Sequence, residues 1–303
     1  MTIAFLAPGQ GSRDLAAVIE FLRARPRSAE WFDVAAAAAD LPVDRWLERG
    51  GRHLEATEIL QPVLTAISLV VARELADAGV FPDYVAGHSL GEIAAWAITG
   101  SISFDDAIRL AGLRGRLMAR AAEHGPGGLL ALIEKTDVEG ALRIGRAAGW
   151  VEFGAENAPD EIILTGEEAA LRAIAAVCPA RRLPVSGAWH SSAMARAVDP
   201  FRVAVQSIVL QPARVKFVLN RDGCVVDDEE TVGDCLAEQL VRPVHWSKVL
   251  QTLHHAGAHD FVTLGPGAIL RALVRKNLGT EVRVWGTDSD SSLRLTLETL
   301  GRS

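Results

Sequence analysis

Cysteine is scarce in this sequence, and the spacing of the few cysteines excludes several kinds of site. The 303 residues include three cysteines, Cys178, Cys224 and Cys235, which form no Cys-x-x-Cys pair and no pattern of metal ligands. Disulfide frameworks and zinc sites both depend on such patterns. We therefore predict reduced, structural thiols and no bound metal.

Excess positive charge and long apolar segments are also lacking. The formal net charge is -7, with no run of Lys and Arg, which argues against a nucleic-acid partner. The most apolar stretch, Pro62 to Val71, is too short to span a bilayer. Met1 to Leu6 lack the basic start and long apolar run of a signal peptide. We therefore expect a cytoplasmic protein with no membrane partner.

The sequence does contain enough apolar residues for a large core, since 49% of it is hydrophobic. The opening TIAFLA and the later VFPDYVAG read as strands that end in glycine turns, and helical patterns follow both. A long apolar helix is predicted from Gln61, with Pro62 in its first turn and Gly79 at its end. The alternation predicts an α/β fold with a mostly parallel sheet.

A smaller unit with a different pattern of strands and helices is predicted between residues 125 and 189. Its pattern is strand, helix, strand, strand, helix, strand, from GGLLALIE through WVEFGAEN and EIILTG to ARRLPVSGAW. This βαββαβ order is typical of a ferredoxin-like subdomain. We therefore expect a large α/β domain made of residues 1–124 and 190–303, with the ferredoxin-like subdomain inserted at 125–189.

The clearest chemical motif is Gly87-His88-Ser89-Leu90-Gly91, between a predicted strand and a predicted helix. In that setting Gly-x-Ser-x-Gly forms a nucleophile elbow, a turn so tight that it needs glycines beside a strained, exposed serine. The helix that follows offers backbone N–H groups, including that of Leu90, to an oxyanion. The alternative is a structural glycine turn whose serine has no chemical role.

A second glycine turn, Gly9-Gln10-Gly11-Ser12, follows the first predicted strand. It offers another set of backbone donors. It lacks the Gly-Lys-Ser/Thr ending of a phosphate loop and the third glycine of a dinucleotide-binding fingerprint. On its own this turn indicates little.

Arg114 is predicted to lie on the buried face of a helix. Ser103, followed three residues later by Asp106, is typical of a helix start and predicts a helix from Phe104 to Ala121. At about 100° per residue, Arg114 falls within an apolar face. That face consists of Ala107, Leu110, Ala111, Leu117 and Met118, while Arg109, Arg116 and Arg120 lie opposite. A buried arginine keeps its proton, so it needs either a buried carboxylate or an anionic ligand.

A serine nucleophile needs a base, and the chain has eight histidines. Those in polar or loop-like stretches are predicted to lie at the surface: His53, His124, His254, His255 and His259. His88 adjoins Ser89, but successive side chains in an elbow point apart. His190 and His245 lie near apolar segments, and spacing does not decide between them.

Eight motifs together resemble the malonyl-CoA:acyl carrier protein transacylase family, the acyltransferases of fatty acid and polyketide synthesis. In chain order they are APGQGS, LQPVL, GHSLGE, LAGLRGRLM, ENAPDEIILTG, GAWHSSAM, QLVRPVHW and LGPGAIL. They extend over nearly the whole chain in the family's order and spacing. The resemblance implies a hydrolase-like α/β domain with an inserted ferredoxin-like subdomain, which is also the fold that the patterns predict.

The resemblance implies catalytic roles for five positions. Ser89 is expected to be the nucleophile and His190 its general base. The backbone N–H groups of Gln10 and Leu90 are expected to form the oxyanion hole. In this family the histidine is oriented by a main-chain carbonyl, which corresponds to that of Gln239, in place of the carboxylate of a Ser-His-Asp triad.

The resemblance also implies the substrates. Arg114 corresponds to the arginine that binds the free carboxylate of a malonyl group, a ligand that suits the fork of a guanidinium. Gln61 and Asn157 are expected near the substrate cleft. Malonyl-CoA and the phosphopantetheine thiol of an acyl carrier protein are the expected substrates, with transfer through a malonyl-serine ester. No metal or redox cofactor is implied.

Two positions depart from the family pattern. Trp189 precedes the histidine where Phe or Ser is commoner, and we expect its larger ring to narrow the pocket and disfavour methylmalonyl groups. Equal rates with malonyl-CoA and methylmalonyl-CoA would contradict that hypothesis. The first turn reads GQGSR where GQGSQ is commoner, so the rim of the cleft is expected to differ.

Two groups of basic residues are candidates for docking an acidic carrier. One group is Arg181 with Arg182, and the other is Arg271 with Arg275 and Lys276. The alternative is that these are scattered, solvated charges.

Three other functions fit parts of the sequence. A proofreading hydrolase or thioesterase would pass the acyl group to water, but one acting on neutral acyl chains would gain nothing from a buried Arg114. A malonyl-transfer subunit of a malonate decarboxylase differs chiefly in its carrier. A docking module without activity would explain the fold, but not Ser89, His190 and Arg114 together.

Overall fold

The computed structural model describes residues 2–11, 15–25, 27–226 and 228–301. Ser12 and Arg13 of the first glycine turn lie outside the described residues, so the expected difference at the cleft rim stays a prediction. In the described part of the chain the strands form two sheets, with six strands in the first and five in the second. This mixed α/β architecture confirms the predicted fold class.

The strands are, in chain order, β1 (Thr2–Ala7), β2 (Tyr84–Gly87), β3 (Gly128–Ile133), β4 (Val151–Ala158), β5 (Glu161–Gly166), β6 (Ala180–Arg182), β7 (Lys216–Val218), β8 (Val225–Val226), β9 (Val244–His245), β10 (Ala258–Thr263) and β11 (Arg283–Trp285). The α-helices are α1 (Leu15–Arg23), α2 (Ser28–Ala39), α3 (Thr57–Asp77), α4 (Gly91–Ile98), α5 (Phe104–His124), α6 (Val138–Ala148), α7 (Glu168–Ala175), α8 (Ala195–Gln206), α9 (Glu229–Glu238), α10 (Trp246–His255), α11 (Ala268–Leu278) and α12 (Asp290–Leu300).

The first sheet has the order β11-β10-β1-β2-β7-β8. Its strands β11, β10, β1, β2 and β7 pair in parallel, and β8 pairs with β7 antiparallel. The carboxyl ends of neighbouring parallel strands meet at one edge, where ligands bind in open α/β sheets. At that edge Gln10 follows β1, Ser89 follows β2 and Asn220 follows β7.

Helix α3 begins one turn earlier than predicted. It starts at Thr57, so Pro62 is its sixth residue and does not lie in the first turn. A proline inside a helix removes one backbone hydrogen bond. The first turn of α3 packs closely on α5, because Gly115 has no Cβ; a Cβ there would lie 2.7 Å from the Thr57 carbonyl oxygen.

By length and composition alone, α3 is apolar enough to cross a membrane. In the structure, 78% of its most apolar window is buried inside the protein. The helix therefore serves as a core helix in this fold.

Helix α5 carries the predicted buried arginine. The Ser103 side chain caps it by accepting a hydrogen bond from the backbone N–H of Asp106, as predicted. The helix continues to His124, three residues beyond the predicted end at Ala121. Arg114 is 2% exposed, which confirms that it faces the interior.

The second sheet has the order β6-β3-β5-β4-β9. Strands β3 to β6 with α6 and α7 follow the predicted βαββαβ order, and their pairings are antiparallel. The last strand is shorter than the predicted ARRLPVSGAW segment, with three residues. Strand β9 was not predicted, because two residues are too few to give a sequence pattern; it joins the sheet parallel to β4.

The two faces of the second sheet belong to different cores. Leu130 and Leu132 of β3 pack with α6 and α7 in a cluster of their own, while Leu129 and Ala131 join the main core. This split follows from the alternation of side chains along a strand. The inserted unit is thus packed onto the large domain, and its boundaries at 125 and 189 stay a prediction.

Candidate active site

The serine of the glycine turn lies in a sharp bend between β2 and α4. Ser89 has a φ of 52°, in the left-handed region that non-glycine residues rarely adopt. The flanking glycines are required for close approach: a Cβ on Gly87 would overlap the backbone of Gly91, and a Cβ on Gly91 would overlap the carbonyl of Ala7. These features match the predicted nucleophile elbow.

Two amide side chains hold the backbone of Ser89 in this conformation. Its N–H donates to Oδ1 of Asn220 at 2.8 Å, and its carbonyl accepts from Nε2 of Gln239 at 2.9 Å. Asn220 also donates to the carbonyl of Gly87 at 2.6 Å. The strain at the serine is therefore offset by hydrogen bonds from two distant segments of the chain.

His190 is the histidine that reaches the serine. Its Nε2 lies 2.7 Å from Oγ of Ser89, and its Nδ1 lies 2.9 Å from the main-chain oxygen of Gln239. Because a carbonyl can only accept, Nδ1 carries the hydrogen and Nε2 presents a lone pair to the serine hydroxyl. His190 also has a positive φ, 59°, which the sequence did not indicate.

The charge state of His190 suits a proton acceptor. Burial lowers its pKa to about 3, and the positive charge of Arg114 contributes in the same direction. The ring is therefore neutral at physiological pH. His245, the other candidate base, lies in β9 with its Nδ1 3.8 Å from Glu156, and no contact joins it to Ser89.

Arg114 approaches the serine from α5. Its Nη2 lies 3.4 Å from Oγ of Ser89 and donates to Oε1 of Gln239 at 2.7 Å. Its Nη1 donates to Oε1 of Gln61 at 3.0 Å. Both of these partners are neutral amides. Burial lowers the pKa of Arg114 to about 10, so the side chain remains a cation at neutral pH.

A buried carboxylate lies one amide away from this arginine. Glu92, on the first turn of α4, is 2% exposed. Its Oε1 accepts from the backbone N–H of Asn220 at 2.6 Å, and its Oε2 accepts from the Gln239 amide. Burial raises the pKa of Glu92 to about 7. Glu92 has no role in the predictions made from the sequence. A charged residue within the apolar helix GEIAAWAI nevertheless indicates a buried charge, as Arg114 does on the apolar face of α5.

The first glycine turn packs directly against the elbow, since a Cβ on Gly9 would overlap the carbonyl of His88. The Gln10 side chain accepts from Thr57 at 3.0 Å, and the Gln61 amide donates to the same hydroxyl at 2.9 Å. Among the described residues, the backbone N–H groups of Gln10 and Leu90 donate no hydrogen bond. Both N–H groups are therefore available to an oxyanion.

Asn157 contacts His88, the residue before Ser89, and Trp189 packs against Gly187. Asn157 accepts from Nε2 of His88 at 2.8 Å and donates to Glu161 at 3.2 Å. As expected for an elbow, the His88 ring bonds to Asn157 and not to Ser89. Trp189 is buried, and its ring lies on Gly187, where a Cβ would overlap it.

The candidate docking residues are mostly paired within the chain. Arg271 bonds to Asp288 at 2.6 Å, and Arg182 bonds to Glu168 at 2.9 Å. Lys276 lies 3.1 Å from Glu161. Arg181 and Arg275 are exposed. Any carrier that uses these two groups would therefore meet fewer open charges than the sequence suggests.

Two comparisons of sequence relate the chain to known proteins. The family model described as "Acyl transferase domain" matches residues 4–288, a range that contains every predicted site residue. A malonyl CoA-acyl carrier protein transacylase of Mycobacterium tuberculosis is 34% identical over 284 residues, which cover 91% of this chain and 93% of the relative. The protein of that name in Escherichia coli K12 is 32% identical over 292 residues, with the same coverage of 91% and 93%.

Solved structures show the same relationship. The crystal structure of MCAT from Mycobacterium tuberculosis matches with a TM-score of 0.88 and 31% identity, covering 98% of this chain and 100% of that one. A malonyl-transacylase in complex with a type II PKS acyl-carrier protein matches with a TM-score of 0.90 and 29% identity, covering 99% and 100%.

Proposed function

This chain belongs to the acyl transferase family, and we propose that it moves a malonyl group from malonyl-CoA to the phosphopantetheine thiol of an acyl carrier protein. The observation that carries the proposal is Arg114, a buried cation 3.4 Å from the Ser89 hydroxyl. In the described part of the chain no carboxylate contacts it directly. Its remaining N–H donors suit the free carboxylate of a malonyl group bound beside the serine.

The first half of the reaction forms an ester on Ser89. Its Oγ attacks the thioester carbon while its proton passes to Nε2 of His190, and the carbonyl oxygen accepts hydrogen bonds from the N–H groups of Gln10 and Leu90. The C–S bond then breaks, His190 returns the proton to the sulfur, and coenzyme A leaves as the thiol. A malonyl-serine ester remains.

The second half repeats these steps with a different thiol. The carrier's phosphopantetheine sulfur gives its proton to His190 and attacks the ester carbon, and Ser89 regains a proton as it leaves. The main-chain carbonyl of Gln239 holds the imidazole throughout. Thioester and ester are close in energy, so concentrations set the direction, and the proposed chemistry uses no metal or redox cofactor.

The charge of the substrate is linked to the strength of the base. In the free protein, the pKa of His190 is lowered to about 3. Burial is the main cause, and the positive charge of Arg114 is the second. A malonyl carboxylate bound to Arg114 offsets that charge, so we expect the pKa of His190 to rise in the complex. An acetyl group supplies no such charge. Malonyl is thereby favoured in rate as well as in binding.

Incubation with labelled malonyl-CoA, without carrier, followed by intact mass measurement tests the proposal. We expect wild type to gain one malonyl group and Ser89→Ala to gain none. Ser207→Ala, which changes an exposed serine at the end of α8, is the matched control and is expected to gain the group. Adding carrier protein should remove the label. Absence of an adduct on wild type at every time would contradict the proposal, and loss to water in preference to carrier would indicate a hydrolase.

A further inference from the structure

The Glu92 carboxylate is central to the hydrogen bonds of the site, although it touches none of the reacting atoms. Its Oε1 accepts from the Asn220 backbone, and its Oε2 accepts from the Gln239 amide. Asn220 and Gln239 are also the residues that hold the N–H and the carbonyl of Ser89. Both supports of the strained serine are therefore anchored on one buried carboxylate.

The carboxylate selects one orientation of the Gln239 amide. In the structure the amide NH₂ faces Glu92 and the Ser89 carbonyl, and the amide oxygen faces Nη2 of Arg114. The flipped amide would set its NH₂ against the guanidinium and its oxygen against the carboxylate, which places donor against donor and acceptor against acceptor. Glu92 and Arg114 thus polarise the same amide from its two sides.

The amide also keeps the two charges apart. A direct contact between Glu92 and Arg114 would occupy guanidinium donors with a protein carboxylate. With Gln239 between them, the ionised form of Glu92 still offsets part of the cost of burying the cation, because Coulomb attraction extends beyond contact distance in a protein interior. Since the pKa of Glu92 is about 7, this effect is strongest above neutral pH. Nη2 donates to Gln239 and Ser89 and Nη1 donates to Gln61, so among the described residues the Nε hydrogen and the second Nη1 hydrogen have no partner and stay open for a ligand.

We propose that Glu92 is a positioning residue, which orients Arg114 through the Gln239 amide and so sets the preference for acyl groups that carry a free carboxylate. This inference rests on the proposed function. Glu92 makes no contact with the acyl group in this scheme. Its effect is carried by the hydrogen bond between Gln239 and Arg114.

The test compares kcat/KM for malonyl-CoA and acetyl-CoA in Glu92→Gln. The substitution keeps the shape of the side chain but leaves one acceptor oxygen for two donors, Asn220 N–H and the Gln239 amide, and removes the negative charge. The orientation of the Gln239 amide is then no longer fixed, so Arg114 loses a fixed acceptor. Loss of one charge-assisted hydrogen bond predicts that the malonyl-to-acetyl ratio falls about 10-fold, mainly through KM for malonyl-CoA. Glu74→Gln, on α3 and away from the site, is the matched control.

A second variant exchanges the two groups. In Glu92→Gln combined with Gln239→Glu, the new amide at 92 can donate to the new carboxylate at 239, which then contacts Arg114 directly. We expect this protein to show a malonyl-to-acetyl ratio about 100-fold below that of wild type, because the guanidinium is already occupied by a carboxylate. A ratio restored to the wild-type value would overturn the role of the amide spacer.

The outcomes separate the inference from the function on which it rests. A Glu92→Gln protein whose malonyl-to-acetyl ratio stays within twofold of wild type overturns the inference, whether or not its overall rate falls. A purely structural defect would lower kcat/KM for both substrates alike. If that variant does not fold, Glu92→Asp replaces it, and the shorter carboxylate is expected to lower the ratio too; an unchanged ratio counts against the inference. If wild type itself takes no malonyl group on Ser89, the proposed function fails instead.

Discussion

Two regions of this protein bury a carboxylate near an arginine, and they arrange the pair differently. Asp260 is fully buried in β10 and accepts directly from Arg283 at 2.7 and 2.5 Å, with a third bond from Trp285 at 2.9 Å. Glu92 and Arg114 do not touch, because an amide lies between them. A direct pair satisfies both charges and leaves no place for a ligand. A spaced pair leaves guanidinium donors that no protein carboxylate occupies.

Replacing the spaced arginine is expected to have the largest effect. Arg114→Ala removes two charge-assisted hydrogen bonds to the malonyl carboxylate, so we expect kcat/KM for malonyl-CoA to fall about 1,000-fold. Transfer of acetyl, which has no carboxylate, is expected to persist or increase. Steady-state rates with both substrates provide the measurement. Unchanged malonyl rates would show that Arg114 is a structural cation, as Arg283 is.

The two regions are also expected to differ in their response to acid. The folded-state pKa of His190 is about 3 against an ordinary value of 6.5, so the unfolded chain takes up a proton between these values while the folded protein does not. Stability is therefore lost as pH falls below 6.5, by about 3 kcal/mol at pH 4. Asp260 has a pKa below its ordinary value, since the bonds from Arg283 and Trp285 outweigh the effect of burial. The stability that this ion pair contributes is therefore lost only at lower pH than the contribution of His190.

Urea unfolding of wild type and His190→Asn at pH 7 and pH 4 isolates this contribution. We expect wild type to lose stability relative to the variant on acidification. Glu92 changes the stability in the opposite direction, because its raised pKa favours proton uptake by the folded state between its ordinary pKa of 4.5 and about 7. It is present in both proteins and cancels in the difference. A constant difference across this range would contradict the neutral assignment of His190.

The smallest effect is expected at the direct pair. Arg283→Ala leaves Asp260 buried without its ion partner, which is expected to lower the free energy of unfolding by about 2 kcal/mol, less than a fully buried pair would lose because Arg283 is half exposed. Malonyl transfer is expected to stay within twofold of wild type. A change in the malonyl-to-acetyl ratio would show that the two regions are coupled.

The sequence predicted the residues whose local pattern carries their chemistry. Ser89 was identified from its glycines and flanking elements, and Arg114 from its place on an apolar helical face. His190 and His245 could not be separated by spacing, because the choice depends on which segment the fold returns to Ser89. The resemblance to a family made that choice.

Other features depend on contacts that no local pattern records. Asn220 and the side chain of Gln239 support Ser89 from segments far along the chain, and their residue types are common in loops. The close packing of the first turn of α3 on α5 depends on the missing Cβ of Gly115. Strand β9 forms by pairing in parallel with β4, and its two residues have no β pattern of their own.

The amides that hold Ser89 impose an order on how the site is assembled. They lie 131 and 150 residues after the serine, and His190, the proposed base, lies 101 residues after it. A chain synthesised from its amino terminus has therefore made the serine long before it makes the groups that bend its backbone and accept its proton. We therefore expect Ser89 to adopt its strained backbone only after the segments that carry Asn220 and Gln239 have folded against it.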